Sequence, residues 1–354
     1  STMGVGARAP EECVCREGTY LGLGSGLCVS CPDKMECPVG SSEASLRSVA
    51  AGTGPTLDST GANVPYPLVE QAFWTSSDDP LLVFRCLGPM HCPGGDPGTC
   101  APQLKSLACA HCADGTYWNG QECFQCSSAE TSAFIFPVVP IFISYFVVCA
   151  IYFTSRDPLP RWGSWQNSII ALGFISLSHY QILHLINTAN VPKMSVQENT
   201  WKVWAVSSDV LSVFRVDCAG MGNFSSKFIM ASCSPMVLLF VAVTSYLGSQ
   251  LLAKLTRKAK LAMEFDCIWN VFFSLIFAFF IGITSMSLSL FKCNKNPGAN
   301  EKATNALDPS VICFEGEWNS LVVVAAFSVL IYCVGCGALF SQAIWYAARG
   351  DHFS

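Results

Sequence analysis

The sequence predicts a small disulfide-rich β/loop ectodomain followed by an all-α transmembrane bundle of about five spans. Three observations lead there. Twelve of the twenty cysteines fall within the first 126 residues. Only 13% of the residues are charged, where soluble domains carry about 25%. The apolar residues also gather into charge-free runs long enough to cross about 30 Å of hydrocarbon.

The head comes first. Cys13, Cys15, Cys28, Cys31, Cys37, Cys86, Cys92, Cys100, Cys109, Cys112, Cys123 and Cys126 form a dense, even set. Such a set reads as a disulfide framework made in an oxidising compartment. An exported head needs a targeting segment, and the chain opens Ser-Thr-Met-Gly without an apolar one; such a segment is expected upstream or processed away. Residues 1–130 carry six basic against fourteen acidic side chains, a net of −8, within a chain whose net charge is −5. An acidic head and no basic patch argue against a nucleic-acid partner.

Within the head, residues 1–40 read as a first cysteine-rich repeat. Residues 41–80 hold no cysteine and are rich in Ser, Thr, Gly, Ala and Pro, the composition of a linker or insert. Residues 81–130 read as a second repeat. Ala72–Trp74 and Leu81–Cys86 suggest two short strands around the turn signal Ser76–Pro80. An internal repeat joins the two ends: Cys15-x2-Gly-Thr-Tyr20 precedes Cys28-x2-Cys31, and Cys112-x2-Gly-Thr-Tyr117 precedes Cys123-x2-Cys126. A unit this small cannot bury a core, so cross-links must stabilise it.

Residues 131–354 are the membrane region. Ala133–Phe153, Asn167–Ile186, Phe228–Leu252, Ile268–Phe291 and Leu321–Trp345 are five candidate spans with no Asp, Glu, Lys or Arg inside them. Residues 200–216 mix Trp201, Trp204 and Phe214 with Lys202, Asp209 and Arg215, which suggests an interfacial amphipathic helix. Lys254, Arg257, Lys258 and Lys260 follow the third candidate span and belong on the inner side. Cys293 and Cys313 follow the fourth and suit the oxidising side. Five spans with the head outside satisfy both signals. Cys293 and Cys313 are expected to close an outer loop, residues 292–320. Cys218 is left over outside, with Cys233 as its best partner.

At this point the residues resemble a known family. Cys86-Leu-Gly-Pro-Met-His-Cys92-Pro-Gly-Gly, Gly98-Thr-Cys100, Cys109-x2-Cys112 and Cys123-x2-Cys126 are similar to ephrin-receptor-like cysteine-rich repeats on polytopic surface proteins of algae and other protists. Gln181-Ile-Leu, Phe214-Arg-Val-Asp-Cys218, Phe291-Lys-Cys293, Asp308-Pro309, Cys313 and Trp318 resemble membrane-region motifs of the same proteins, in the same order, from about residue 65 to 340. The resemblance implies a plasma-membrane or endomembrane protein with helices similar to transient-receptor-potential-like channels. Relatives often run past the equivalent of Gly350 and carry more repeats, so the chain reads as a fragment or a short member.

Each chemical constellation has a plainer reading beside it. Cys109-x2-Cys112-x10-Cys123-x2-Cys126 approaches zinc-ribbon spacing, but eight other cysteines in the head favour disulfides. Cys333-Val-Gly-Cys336 resembles a redox pair, yet mid-span it reads as small packing residues; Cys333, Gly337 and Ser341 make a small-residue stripe. Gly173, Ser176, Tyr180, His184 and Asn187 fall on one face of the second candidate span at about 100° per residue. This stripe lines a wet crevice or, the favoured alternative, binds helices together by hydrogen bonds. Asn223-Phe-Ser225 is a glycosylation sequon, read as unused because it lies about five residues from the predicted span at Phe228. There is no phosphate loop, nucleophile elbow or His-Glu-x2-His motif. The chain is therefore read as a non-enzyme without a cofactor or metal.

Two functions follow as expectations. The first is a receptor-like or structural surface protein whose head binds an extracellular protein or glycan, with Tyr66, Phe73, Trp74, Tyr117 and Trp118 as candidate contacts. The alternative is an ion channel or transporter subunit, assembled as a homo-oligomer in membrane lipid.

Overall fold

In the computed structural model of the chain, residues 14–58, 61–118, 122–127, 137–155, 172–173, 175–179, 181–182, 216–297 and 302–349 are described. The chain divides into two compact units: residues 1–125 with 291–319, and residues 126–290 with 320–354. Cys13 lies outside the described residues, as do nearly all of residues 200–216 and the larger part of the second candidate span.

The first unit is a ladder of two-stranded antiparallel pairs. β1 (Thr19–Leu21) pairs with β2 (Cys28–Ser30), and β3 (Met35–Glu36) with β4 (Leu68–Val69). β5 (Phe73–Thr75) pairs with β6 (Val83–Arg85), and β7 (Leu104–Lys105) with β8 (His111–Cys112). β9 (Thr116–Trp118) pairs with β10 (Cys123–Gln125), and β11 (Cys293–Lys295) with β12 (Ala303–Asn305). Isolated hairpins are marginal in water, and here disulfides tie them. Cys15 bonds Cys28, Cys31 bonds Cys37, Cys86 bonds Cys92, Cys100 bonds Cys109, and Cys112 bonds Cys123.

The internal repeat is a structural repeat. In each copy the Thr-Tyr strand pairs with the strand that opens on the first cysteine of Cys-x2-Cys. In each copy the leading cysteine bonds that same cysteine, Cys15 to Cys28 and Cys112 to Cys123. The glycine before Thr-Tyr sits at φ +77° in Gly18 and +78° in Gly115, a conformation that glycine adopts without steric cost.

Residues 41–80, expected as a linker or insert, hold regular structure. Helix α1 (Glu43–Ala50) starts at Ser42, whose Oγ accepts from Ala44 N, and Glu43 pairs with Arg47 one turn on. Leu46 is fully buried with Met35, Val69 and Val83, and Tyr66, Phe73 and Leu81 pack around them. Lacking cysteines, this segment contributes Leu46, Tyr66, Val69 and Phe73 to an apolar cluster instead. A second cluster gathers Phe84, Ala108 and the cystine sulfurs of Cys86, Cys92 and Cys109.

The second unit is helical. α2 (Val139–Ser155), α3 (Phe224–Thr256) and α4 (Phe265–Ala278) pack together around Val148, Tyr152, Val241, Ala242, Ile268, Val271 and Leu275. A 58° bend separates α4 from α5 (Phe280–Ser287). α6 (Glu317–Ser328) continues through a π-helical segment, Val329–Gly335, into α7 (Cys336–Arg349). Among the described residues two helices are long and apolar enough to cross a membrane, Phe224–Thr256 and Glu317–Tyr346, or three if α4 and α5 form one span. The described residues thus support two or three spans, not the five expected, and the larger part of the second candidate lies outside them. The α2 helix is 17 residues long, short of the about 20 that a span needs.

Two irregularities on these long helices meet. Pro235 lies inside α3 and has no N–H for the carbonyl of Ala231. The hydroxyl of Ser234 donates to that carbonyl at 2.7 Å. One residue on, the carbonyl of Ser232 accepts from the hydroxyl of Tyr332, in the π segment, at 2.9 Å. Gly337 of α7 faces the Phe280 ring of α5, where an added Cβ would sit in ordinary contact at 3.8 Å.

Cys218 bonds Cys126, not Cys233. Cys218 lies in the turn that precedes α3, while Cys233 lies nine residues inside that helix and is free. The helix carries Cys233 away along its axis by about 1.5 Å per residue. Cys293 bonds Cys313 across the loop between α5 and α6.

Candidate functional site

The loop between α5 and α6 belongs to the cysteine-rich unit. Its β11–β12 hairpin holds Asn296, Thr304 and Asn305, all at most 4% exposed. Buried amides need partners, and Asn296 has them. Its Nδ2 donates to Lys302 O and Thr304 Oγ1. Its Oδ1 accepts from the backbone N of Arg85, on β6, at 2.9 Å. Asn296 thus serves as one more rung on the edge of a strand more than 200 residues earlier.

A second attachment lies at β8. Asn305 Oδ1 accepts from the backbone N of Leu307 and of Asp308, turning the chain. Asp308 Oδ1 accepts from Ser310 N at 3.0 Å and from Ser310 Oγ at 2.6 Å. His111 Nε2 then faces Asp308 Oδ2 at 3.3 Å and Ser310 Oγ at 3.0 Å. Both partners are acceptors toward the ring, since the Ser310 proton is already given to Asp308. Nε2 therefore carries a proton and donates.

His, Asp and Ser are the residue types of a nucleophilic relay, but this order is wrong for one. A relay needs Ser on one ring nitrogen, deprotonated to receive its proton, and Asp on the other. Here both lie on one protonated nitrogen, so the group fastens the loop and does not activate Ser310. Among the described residues no group of three or more His, Cys, Asp or Glu is arranged to hold a metal ion. The cysteines of the zinc-like spacing are spent in Cys100–Cys109, Cys112–Cys123 and Cys126–Cys218.

The five candidate contact aromatics are all half-buried. The Tyr66 hydroxyl donates to Asp96 Oδ1 at 2.8 Å. That bond and partial burial push the Tyr66 phenol above its ordinary range. Phe73 lies beneath Lys34 and Arg85, with the cations 5.8 and 6.0 Å from the ring centre, within reach of a cation–π attraction. Trp74 tilts against Phe84 and Trp118 against His91. Burial lowers the affinity of His91 for a proton. These aromatics pack the unit and each stays partly exposed.

Of the polar membrane stripe, Gly173 and Ser176 are described as helical, Gly173 exposed and Ser176 half-buried. Tyr180, His184 and Asn187 lie outside the described residues. Gln181 is 1% exposed, with neither amide atom hydrogen bonded among the described residues. The signal for it in the sequence is an amide inside an apolar run. The pairing of Asn296 with Arg85 and of Asp308 with His111 has no such signal, because each crosses about 200 residues of chain.

No family model matches this chain, and no curated protein or solved structure matches it either. The resemblance to ephrin-receptor-like repeats rests on the residues quoted for it.

Proposed function

We propose that this chain is a receptor-like surface protein of the plasma membrane or an endomembrane, with its cysteine-rich unit outside or in the lumen. In this reading the unit binds an extracellular protein or glycan. The full bundle reaches the five spans expected from the sequence, and the likeness to ephrin-receptor-like repeats reflects kinship. One observation carries it: the loop that joins α5 to α6 is folded into the cysteine-rich unit through Asn296, Asp308 and Ser310. A head that served only as a cap needs no such loop. A head that holds the connection between two membrane helices can pass on what it binds, because a shift at β6 or β8 pulls on both helices through the chain.

Three further features support the reading. The disulfides suit an extracellular or lumenal region. The long apolar helices suit a membrane. Half-buried Phe73, beside Lys34 and Arg85, suits a polar ligand surface. The test is binding by the full chain in nanodiscs, screened against secreted proteins and glycans. Saturable binding that disappears when the disulfides are reduced supports it. An absence of saturable binding across both probe sets sinks it.

A second reading, a channel or transporter subunit, draws on the 58° break between α4 and α5. Broken helices line substrate paths in many transporters. Flux in proteoliposomes that falls in Tyr180→Phe or His184→Ala, with a closed ring of copies by mass, would favour it.

A further inference from the structure

Asn223-Phe224-Ser225 is the single Asn-x-Ser/Thr sequence in the 354 residues. Judged from the sequence, it lies too close to a span beginning at Phe228. The structure moves that boundary. The α3 helix runs 33 residues, Phe224–Thr256, about 50 Å at 1.5 Å per residue, while hydrocarbon takes up about 30 Å. The helix must project beyond the membrane at one end or both.

The charges say which. Lys254 and Arg257 mark the inner end, so Leu252 is the last large apolar residue before the first of them. About 20 residues counted back from Leu252 place the outer edge of the hydrocarbon near Cys233. Asn223 then lies ten residues, about 15 Å, further out. The headgroup layer on each side is only about 5–8 Å deep. The first turns of α3 also behave as wetted helix: Lys227 pairs with Asp217 at 2.7 Å, each side chain about a third exposed.

The local geometry leaves the acceptor amide on offer. Asn223 is exposed, and its backbone is extended at φ −66°, ψ 146°. It occupies the N-cap position, yet its side chain makes no capping hydrogen bond; only its carbonyl is engaged, accepting from Lys227 N. An N-cap asparagine ordinarily folds its side chain back over the first turn. Five residues upstream, Cys218 is held in a disulfide to Cys126, which marks this side as oxidising. That is the side on which asparagine-linked glycans are attached.

We infer that Asn223 is a site of N-linked glycosylation at the outer end of α3, an inference that rests on the export of this side proposed above. The donor is an oligosaccharide carried on a polyprenyl pyrophosphate. The bond from the sugar C1 to the pyrophosphate oxygen breaks and a bond from C1 to Asn223 Nδ2 forms. The amide loses one proton, and the polyprenyl pyrophosphate leaves with the bonding electrons. Phe224, 8% exposed and stacked on Phe228, holds the helix start beneath the glycan.

The experiment is expression of the full chain in a eukaryotic host, followed by peptide N-glycosidase digestion and mass spectrometry. The wild type is expected to lose glycan mass and to gain aspartate at position 223, and both changes are expected to vanish in Asn223→Gln and Ser225→Ala. A companion variant, Ala51→Asn, completes a second sequon with Thr53 in the exposed turn after α1. Glycan on that variant alone, with none at Asn223, overturns the inference and leaves the exported head standing. No glycan on either position overturns both.

Discussion

Asn296 is the residue on which the loop's attachment turns. Replacing it with alanine removes the acceptor of the Arg85 N–H and the side-chain donor to Thr304 Oγ1, while Lys302 O keeps the backbone N–H of residue 296. A buried orphaned donor costs about 1–3 kcal/mol, so Asn296→Ala should lower the unfolding midpoint of the cysteine-rich unit while its disulfides stay intact. His91 gives a pH signature. Burial holds its folded affinity for a proton below the ordinary value. The unfolded chain therefore binds more protons once the pH falls below about 6.5, and stability is lost in that direction. The contribution is full above that range and absent below it. His91→Phe keeps a ring against Trp118 and removes the titration. Its stability relative to wild type should rise between about pH 7 and pH 5 in denaturant titrations. Neither residue stands out in the sequence: Asn296 sits in an ordinary Asn-Lys-Asn-Pro turn, and His91 between two cysteines.

At the scale of elements, the cystine between Cys126 and Cys218 spans 92 residues. In the chain-entropy account a loop near that length contributes about 4–5 kcal/mol. The paired change Cys126→Ser with Cys218→Ser should thus cost far more than Cys31→Ser with Cys37→Ser, which closes only six residues; denaturant unfolding measures both. In the π segment, Tyr332→Phe removes the donor to Ser232 O of α3 and should destabilise the helical unit by about 0.5–1.5 kcal/mol, measured by thermal unfolding in detergent. Elements were legible where period or chemistry repeats locally. The strands at Phe73–Thr75 and Val83–Arg85 flank a turn signal, and the Cys-x2-Gly-Thr-Tyr repeat recurs as one hairpin. The α1 helix was hidden, because Ser, Ala and Arg in a Gly- and Pro-rich stretch resemble a loop until Leu46 is seen to be buried. The partner of Cys218 was hidden too, since the number of cysteines on one side of a membrane does not determine their pairing.

For the whole molecule, the sequence reads residues 292–320 as a disulfide-closed outer loop of the membrane region, and the fold groups 291–319 with the cysteine-rich unit. The reason is physical. Buried amides need polar partners: strand β6 supplies one to Asn296, the loop itself supplies those of Thr304 and Asn305, and His111 faces Asp308 and Ser310. The chain consequently passes between the two units three times, after Gln125, before Phe291 and after Asn319. Hydrogen exchange on the full chain in nanodiscs tests that arrangement most directly. The amides of Asn305, Val311 and Cys313, bonded within the loop, should exchange slowly in the wild type. They should exchange quickly in Asn296→Ala combined with Asp308→Ala, with Cys293–Cys313 still closed. Fast exchange of these amides in the wild type would contradict a loop held by the head.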